Sequence, residues 1–163
     1  MQIPWTTLER THAAAEVIRE GQTHGYVKLA MRSGRTQRVS LTLTTDTESA
    51  IPVVQISSKA MNRDRALTAL VSKLRPLPPL SAEEREFDET DAADHGRRWL
   101  ALLAHNEHLR GVALHLTEHE LLVSMDLVCL GDTIDATLLT HRIARLAEVA
   151  DGLELRITGA DVF

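Results

Sequence analysis

One cysteine, five aromatic side chains and no long apolar run mark this chain of 163 residues by what it has little of. A single cysteine, Cys129, rules out an internal disulfide framework and a Cys-based zinc finger. No uninterrupted apolar stretch approaches the roughly 20 residues that a membrane-spanning helix needs. The opening segment MQIPWTTLER has neither a basic n-region nor a hydrophobic h-region. Export by a signal peptide is therefore not expected; a cytoplasmic protein without a membrane partner is. Aromatics at 3% leave few platforms on which nucleic-acid bases stack. The sequence also lacks a GxSxG elbow, a GxxxxGK[ST] phosphate loop and a GxGxxG fingerprint. No enzyme activity and no cofactor are expected.

What is there is the material of one globular domain spanning 1–163. The chain is 44% hydrophobic and 25% charged, and at this length it buries roughly 70% of its unfolded surface without staples. Its net charge of −5 is unevenly distributed. Lys and Arg outnumber Asp and Glu by 11 to 6 in residues 1–75, whereas residues 76–163 carry 7 against 17. A charge of +5 is thus followed by one of −10, which marks either two surfaces of opposite sign or two halves that neutralise each other.

Hydrophobic spacing orders the elements. Ile3, Trp5, Leu8, Ala15, Val17 and Ile18 gather on one broad side of a first helix that Gly21 stops. Val27, Leu29 and Met31 then alternate with polar neighbours, Ser33-Gly34-Arg35 turns the chain, and Val39, Leu41 and Leu43 alternate back. A third strand, 51–58, completes a meander after the polar turn at 46–49. Asn62 is the expected N-cap of a helix carrying Leu67, Leu70, Val71 and Leu74, which Pro76 ends. Residues 76–94 form a proline-rich connector and an acidic stretch, and 92–109 a helix that is apolar nearly all round at Trp99–Ala104. A second hairpin pairs Val112, Leu114 and Leu116 with 121–130. In its return strand Leu121, Val123, Met125, Leu127 and Cys129 share one face, and Leu122, Val128 and Leu130 suggest cover on the other as well. A last amphipathic helix points Leu138, Leu139, Ile143, Leu146 and Ala150 inward, and the alternating tail 153–157 is a short strand or arm. The expectation is an α+β fold. About five antiparallel strands fall in two groups, with helices at both ends and in the middle.

Chemistry-bearing patterns are few. His115-Leu-Thr-Glu-His119 spells the inverted zinc-protease motif. That chemistry needs the two histidines one turn apart on a helix, and period-two alternation on both sides places them at a hairpin tip instead. His105 and His108, with His115 or His119, form a looser candidate cluster; no metal site is expected. Cys129 lies in an apolar run and is expected to act as a small hydrophobe. Lys28, Arg32, Arg35 and Arg38 flank the first hairpin near Tyr26, a set that grips a phosphate backbone or simply solvates a sheet face. A sequence pI near 5.9 favours the second.

Three ordered stretches resemble a known group. Gly34-Arg35-Thr-Gln-Arg38-Val39 followed by Val53-Val-Gln-Ile-Ser57-Ser58 is similar to the first hairpin and third strand of YbjN-like proteins. Leu102-Leu103-Ala-His-Asn106 and then Gly111-Val-Ala-Leu114 is similar to a helix-then-strand segment that they share with type III secretion chaperones. Residues 121–130, 135–138 and 143–151 resemble the closing strand and last helix. The likeness covers about 24–158 at the level of pattern. It implies a non-enzymatic, homodimeric, chaperone-like or adaptor protein that binds a client protein. The middle helix, with Trp99, Leu102, Leu103 and Asn106, would form the dimer contact. Trp5, Leu8, Tyr26, Arg35 and Arg38 are the expected partner-binding residues, and contact with nucleic acid through the basic hairpin is the alternative.

Overall fold

The computed structural model describes residues 1–11, 16–66 and 111–158. Their elements are α1 (Trp5–Thr11), β1 (Glu16–Arg19), β2 (His24–Ala30), β3 (Thr36–Thr45), β4 (Pro52–Asn62), β5 (Ala113–Leu116), β6 (Glu120–Val128) and α2 (Ala136–Thr158). The six strands form one sheet in the order β1-β2-β3-β4-β6-β5, antiparallel at every pairing. The α+β class holds, and the sheet has one strand more than the expected five. The meander and the second hairpin join as β4 and β6 pair along most of their length, from Val53↔Val128 to Asn62↔Glu120. No helix of the described residues is long and apolar enough to cross a membrane.

The extra strand is β1. Val17 and Ile18 are β-branched and extend readily, and four register pairs with β2 hold them. The helix expected from residue 3 onward is found as α1 at Trp5–Thr11, and residues 16–19 belong to the sheet rather than to it. At the β2–β3 turn, Met31 N donates to Arg35 O at 2.7 Å and Gly34 N to Met31 O at 3.0 Å. Gly34 takes the left-handed conformation that closes this three-residue loop, at φ 84°. Strand β4 outruns its expected end at Ser58, because a bulge between Lys59 and Met61 carries its pairing with β6 on to Asn62. The chain turns helical at 63–66, directly after the expected cap Asn62.

The core lies on one side of the sheet. Val27, Val39, Leu41, Val54, Ile56, Leu121 and Val123 are fully buried there, against Leu139, Ile143, Leu146 and Ala150 of α2. Asp135 caps α2: its Oδ1 accepts from Thr137 N at 2.9 Å and Leu138 N at 3.0 Å. Such a cap is worth about 1 kcal/mol, whereas each fully buried Leu or Ile contributes roughly 2–3 kcal/mol. Packing rather than capping holds the helix to the sheet. Two expectations fail here. Leu138 is exposed, because the buried stripe runs through residues 139, 143, 146, 150 and 153 at helical spacing. The same stripe draws the tail into α2, which continues to Thr158 where a strand or arm was expected.

Candidate functional site

Among the described residues no element covers the second, open side of the sheet. Val128 is 52% exposed and Leu130 88% exposed, so the expected cover is not found over these two, while Leu122 is half-buried. Strand alternation sends every second side chain to this open face. The registers then arrange them in rows: Tyr26↔Ser40↔Ser57↔Ser124 across four strands, and Thr42↔Gln55↔Asp126 beside it. The serine row is small and polar, and at its β6 end the Ser124 hydroxyl meets His115 Nε2 at 2.7 Å.

At one end of this face the first hairpin presents its charges. The Arg38 guanidinium lies 3.6 Å from the centroid of the Tyr26 ring, and Lys28 Nζ lies 5.9 Å from it. Lys28 and Arg38 are direct cross-strand partners. Lys28 Nζ donates to Glu16 Oε2 at 2.7 Å, and this bond raises the lysine pKa above its ordinary value. Arg38 reaches Glu20 only at 3.8 Å. Lys59 of β4 stands on the same face and pairs with Glu120 at 2.8 Å.

The residues singled out by sequence divide sharply. Tyr26 and Arg38 come together on the open face as a stacked pair. Arg35, four residues along the same hairpin from Met31, turns inward and is not available to a partner. Its guanidinium pairs with the Asp151 carboxylate, donates to the Asp151 carbonyl at 2.9 Å and sits 2.9 Å from Glu154 Oε2. That last contact lacks hydrogen-bond geometry and is Coulombic. Trp5 and Leu8 are core residues rather than surface anchors, with Leu8 wholly enclosed. They seat α1 beneath the first hairpin, where only a glycine fits. A Cβ on Gly25 would meet the Ile18 carbonyl oxygen and come within 2.8 Å of the Trp5 ring. Trp99, Leu102, Leu103 and Asn106, the expected dimer residues, lie outside the described residues, as do His105 and His108.

The HxxEH segment is the hairpin tip that alternation predicted. His115 is in β5 with Nε2 2.7 Å from Ser124 Oγ, while His119 lies in the turn before β6. Among the described residues no group of three or more His, Cys, Asp or Glu is placed to hold a metal. Burial raises the Cys129 thiol above its ordinary pKa, which keeps it protonated and a poor nucleophile.

Sequence reasoning missed Lys59 and Arg65. Both line a cleft of about 320 Å³ with Arg38, Gln37, Asn62 and Glu154. The cleft opens where β3 and β4 part, since their pairing ends at Val39↔Ser58. A register across β3 and β4 would have been needed to see it.

The chain matches no family model, no curated protein and no solved structure. What the arrangement can do is read from its own geometry. It offers a flat, polar, solvent-facing sheet surface with a cationic end and an apolar corner at Val128 and Leu130.

Proposed function

We propose that this protein is a non-enzymatic, cytoplasmic adaptor of the YbjN-like and secretion-chaperone-like kind, and that a client protein binds the open face of its sheet. One observation carries the reading: α2 packs on one side of the sheet, and among the described residues no element covers the other. That side carries a stacked Tyr26–Arg38 pair and the exposed Val128 and Leu130. Amphipathic aromatics and arginine are the side chains that most often anchor protein interfaces, and an exposed apolar corner adds area from which water is released. The helix–meander–helix–hairpin–helix order of the sequence supports the same reading.

The proposal includes a homodimer joined through Trp99, Leu102, Leu103 and Asn106. It is tested by placing a photo-reactive amino acid at Ser57, central on the open face, and at Glu148, on the outer side of α2. After irradiation in the native host, the expected result is a discrete partner trapped from Ser57 and not from Glu148. Light scattering on the same preparations is expected to give a dimer that Trp99→Glu converts to a monomer. Equal trapping from both positions, or a monomer at every concentration, contradicts the proposal.

A nucleic-acid partner has one observation in its favour, the aromatic ring flanked by two cations on an open sheet. Against it, Arg35 is committed to the interior and Arg38 already covers the Tyr26 ring.

A further inference from the structure

Lys28, Arg38 and Lys59 occupy adjacent strands β2, β3 and β4 on the open face. Lys28 and Arg38 are direct register partners. Lys59 lies one residue beyond the last β3–β4 pair, Val39↔Ser58, and shares the cleft with Arg38. Neighbouring strands are about 4.8 Å apart, so three cations stand in a row roughly 10 Å long. Arg65, at the helical turn after β4, extends the row into the cleft. Like charges placed directly opposite on neighbouring strands destabilise a sheet. A row of them is a local conflict that sheet stability does not explain.

Among the described residues the row is balanced from its rim. Glu16 reaches in from β1, Glu20 from the loop after it and Glu120 from β6. These pairs are solvent-exposed, and the longest, Arg38 to Glu20 at 3.8 Å, involves the most exposed cation at 56%. Exposed pairs of this kind contribute little and exchange readily. Arg65 likewise meets Glu154 only at 3.6 Å. Every counter-ion of the row among the described residues is a carboxylate. An incoming carboxylate can therefore replace Glu20 or Glu120 without new coordination chemistry.

We propose that the stripe Lys28–Arg38–Lys59–Arg65 is a docking site for an acidic peptide segment of a partner protein. The inference rests on the protein-binding reading and names the chemistry of its client. Carboxylates on alternate residues of an extended peptide fall about 7 Å apart along one side, a spacing that places two of them over a row of this length. A nucleic-acid backbone suits the surface less well. Glu16, Glu20 and Glu120 border the row, and Asp126 lies on the same face, so a continuous run of phosphates would be repelled on either side of a short cationic stretch.

The test uses the full chain and three fluorescein-labelled probes of equal length. These are a peptide of about ten residues alternating Glu and Ala, the same peptide with Gln for Glu, and an oligo-dT strand. Fluorescence anisotropy is expected to show binding of the Glu peptide that weakens as salt rises from about 50 to 300 mM, with no binding of the Gln peptide. The charge reversal Arg38→Glu/Lys59→Glu is expected to weaken the Glu peptide at least about tenfold. The neutral pair Arg38→Gln/Lys59→Gln, whose circular dichroism and melting should match the wild type, is expected to show an intermediate loss. Equal binding of the Glu and Gln peptides, or an unchanged affinity in both variants, overturns the inference. Tighter binding of oligo-dT than of the Glu peptide also overturns it, in favour of nucleic acid. Trapping of a client from Ser57 that both variants leave unchanged removes the acidic docking site and leaves the adaptor reading intact. Charge-dependent peptide binding without any trapped client supports the docking site and removes the adaptor reading.

Discussion

Arg35 and Arg38 are three residues apart on one hairpin, yet the fold gives them opposite tasks. Both stand in a basic run that reads as a single surface feature. The turn at Met31–Arg35 rotates Arg35 toward α2, where only 9% of its side chain remains exposed and two carboxylates meet it. Arg38 lies within β3 and alternation delivers it to the open face. Removing one partner of a buried ion pair leaves the other charge desolvated and uncompensated. Arg35→Ala is therefore expected to cost about 2–4 kcal/mol, read as a lower urea midpoint with unchanged slope. A loss near 0.5 kcal/mol, the worth of an exposed pair, would show that the network is surface decoration. The inward turn of Arg35 was not legible in the sequence, because its two partners lie more than a hundred residues away on α2. Tyr26 with Arg38 was legible, since period two alone puts both on the polar side of the hairpin.

At the scale of elements, what the sequence revealed depends on how local the deciding interaction is. The hairpins β2–β3 and β5–β6 are set by alternation and turn residues within a few positions, and both are found where expected. The helix read across residues 3–19 failed at its second half. There Val17 and Ile18 fit an apolar helical side and an edge strand equally well, and pairing with β2 decided between them. The tail failed for the opposite reason. Leu153, Leu155 and Ile157 alternate, but Leu153 also continues the buried stripe of α2, and packing against the sheet outweighs a lone strand with no partner. Gly25, within β2, is where α1 packs most closely on the sheet. Gly25→Ala drives a methyl into the Trp5 ring and the Ile18 backbone. The expected loss is about 2 kcal/mol, the ordinary cost of overpacking, accompanied by a change in Trp5 fluorescence. An unchanged melting temperature and spectrum would mean that α1 is not seated as described.

For the whole molecule, the charge asymmetry of the sequence acquires a spatial meaning. The +5 of residues 1–75 is not spread evenly: Lys28, Arg38 and Lys59 stand together on the open face, Arg65 joins Arg38 and Lys59 in the cleft beside it, and Arg35 is spent in a buried pair. The two sides of the sheet have separate roles. One buries Val39, Leu41, Ile56 and Val123 under α2 and supplies stability; the other keeps a polar surface in water at little cost to the core. A fold built this way can change its surface residues without loosening its interior. The central claim is that this open face receives the partner. It is tested most directly by adding the Ser57-trapped client, or its acidic segment, to isotope-labelled protein and following backbone amide shifts. The account predicts shifts confined to the open face, at Tyr26, Lys28, Arg38, Ser40, Ser57, Lys59 and Ser124, and to Arg65 in the adjoining cleft, with the outer side of α2 unchanged. Shifts concentrated on α2 around Glu148 and Arg145, with the sheet silent, would contradict it.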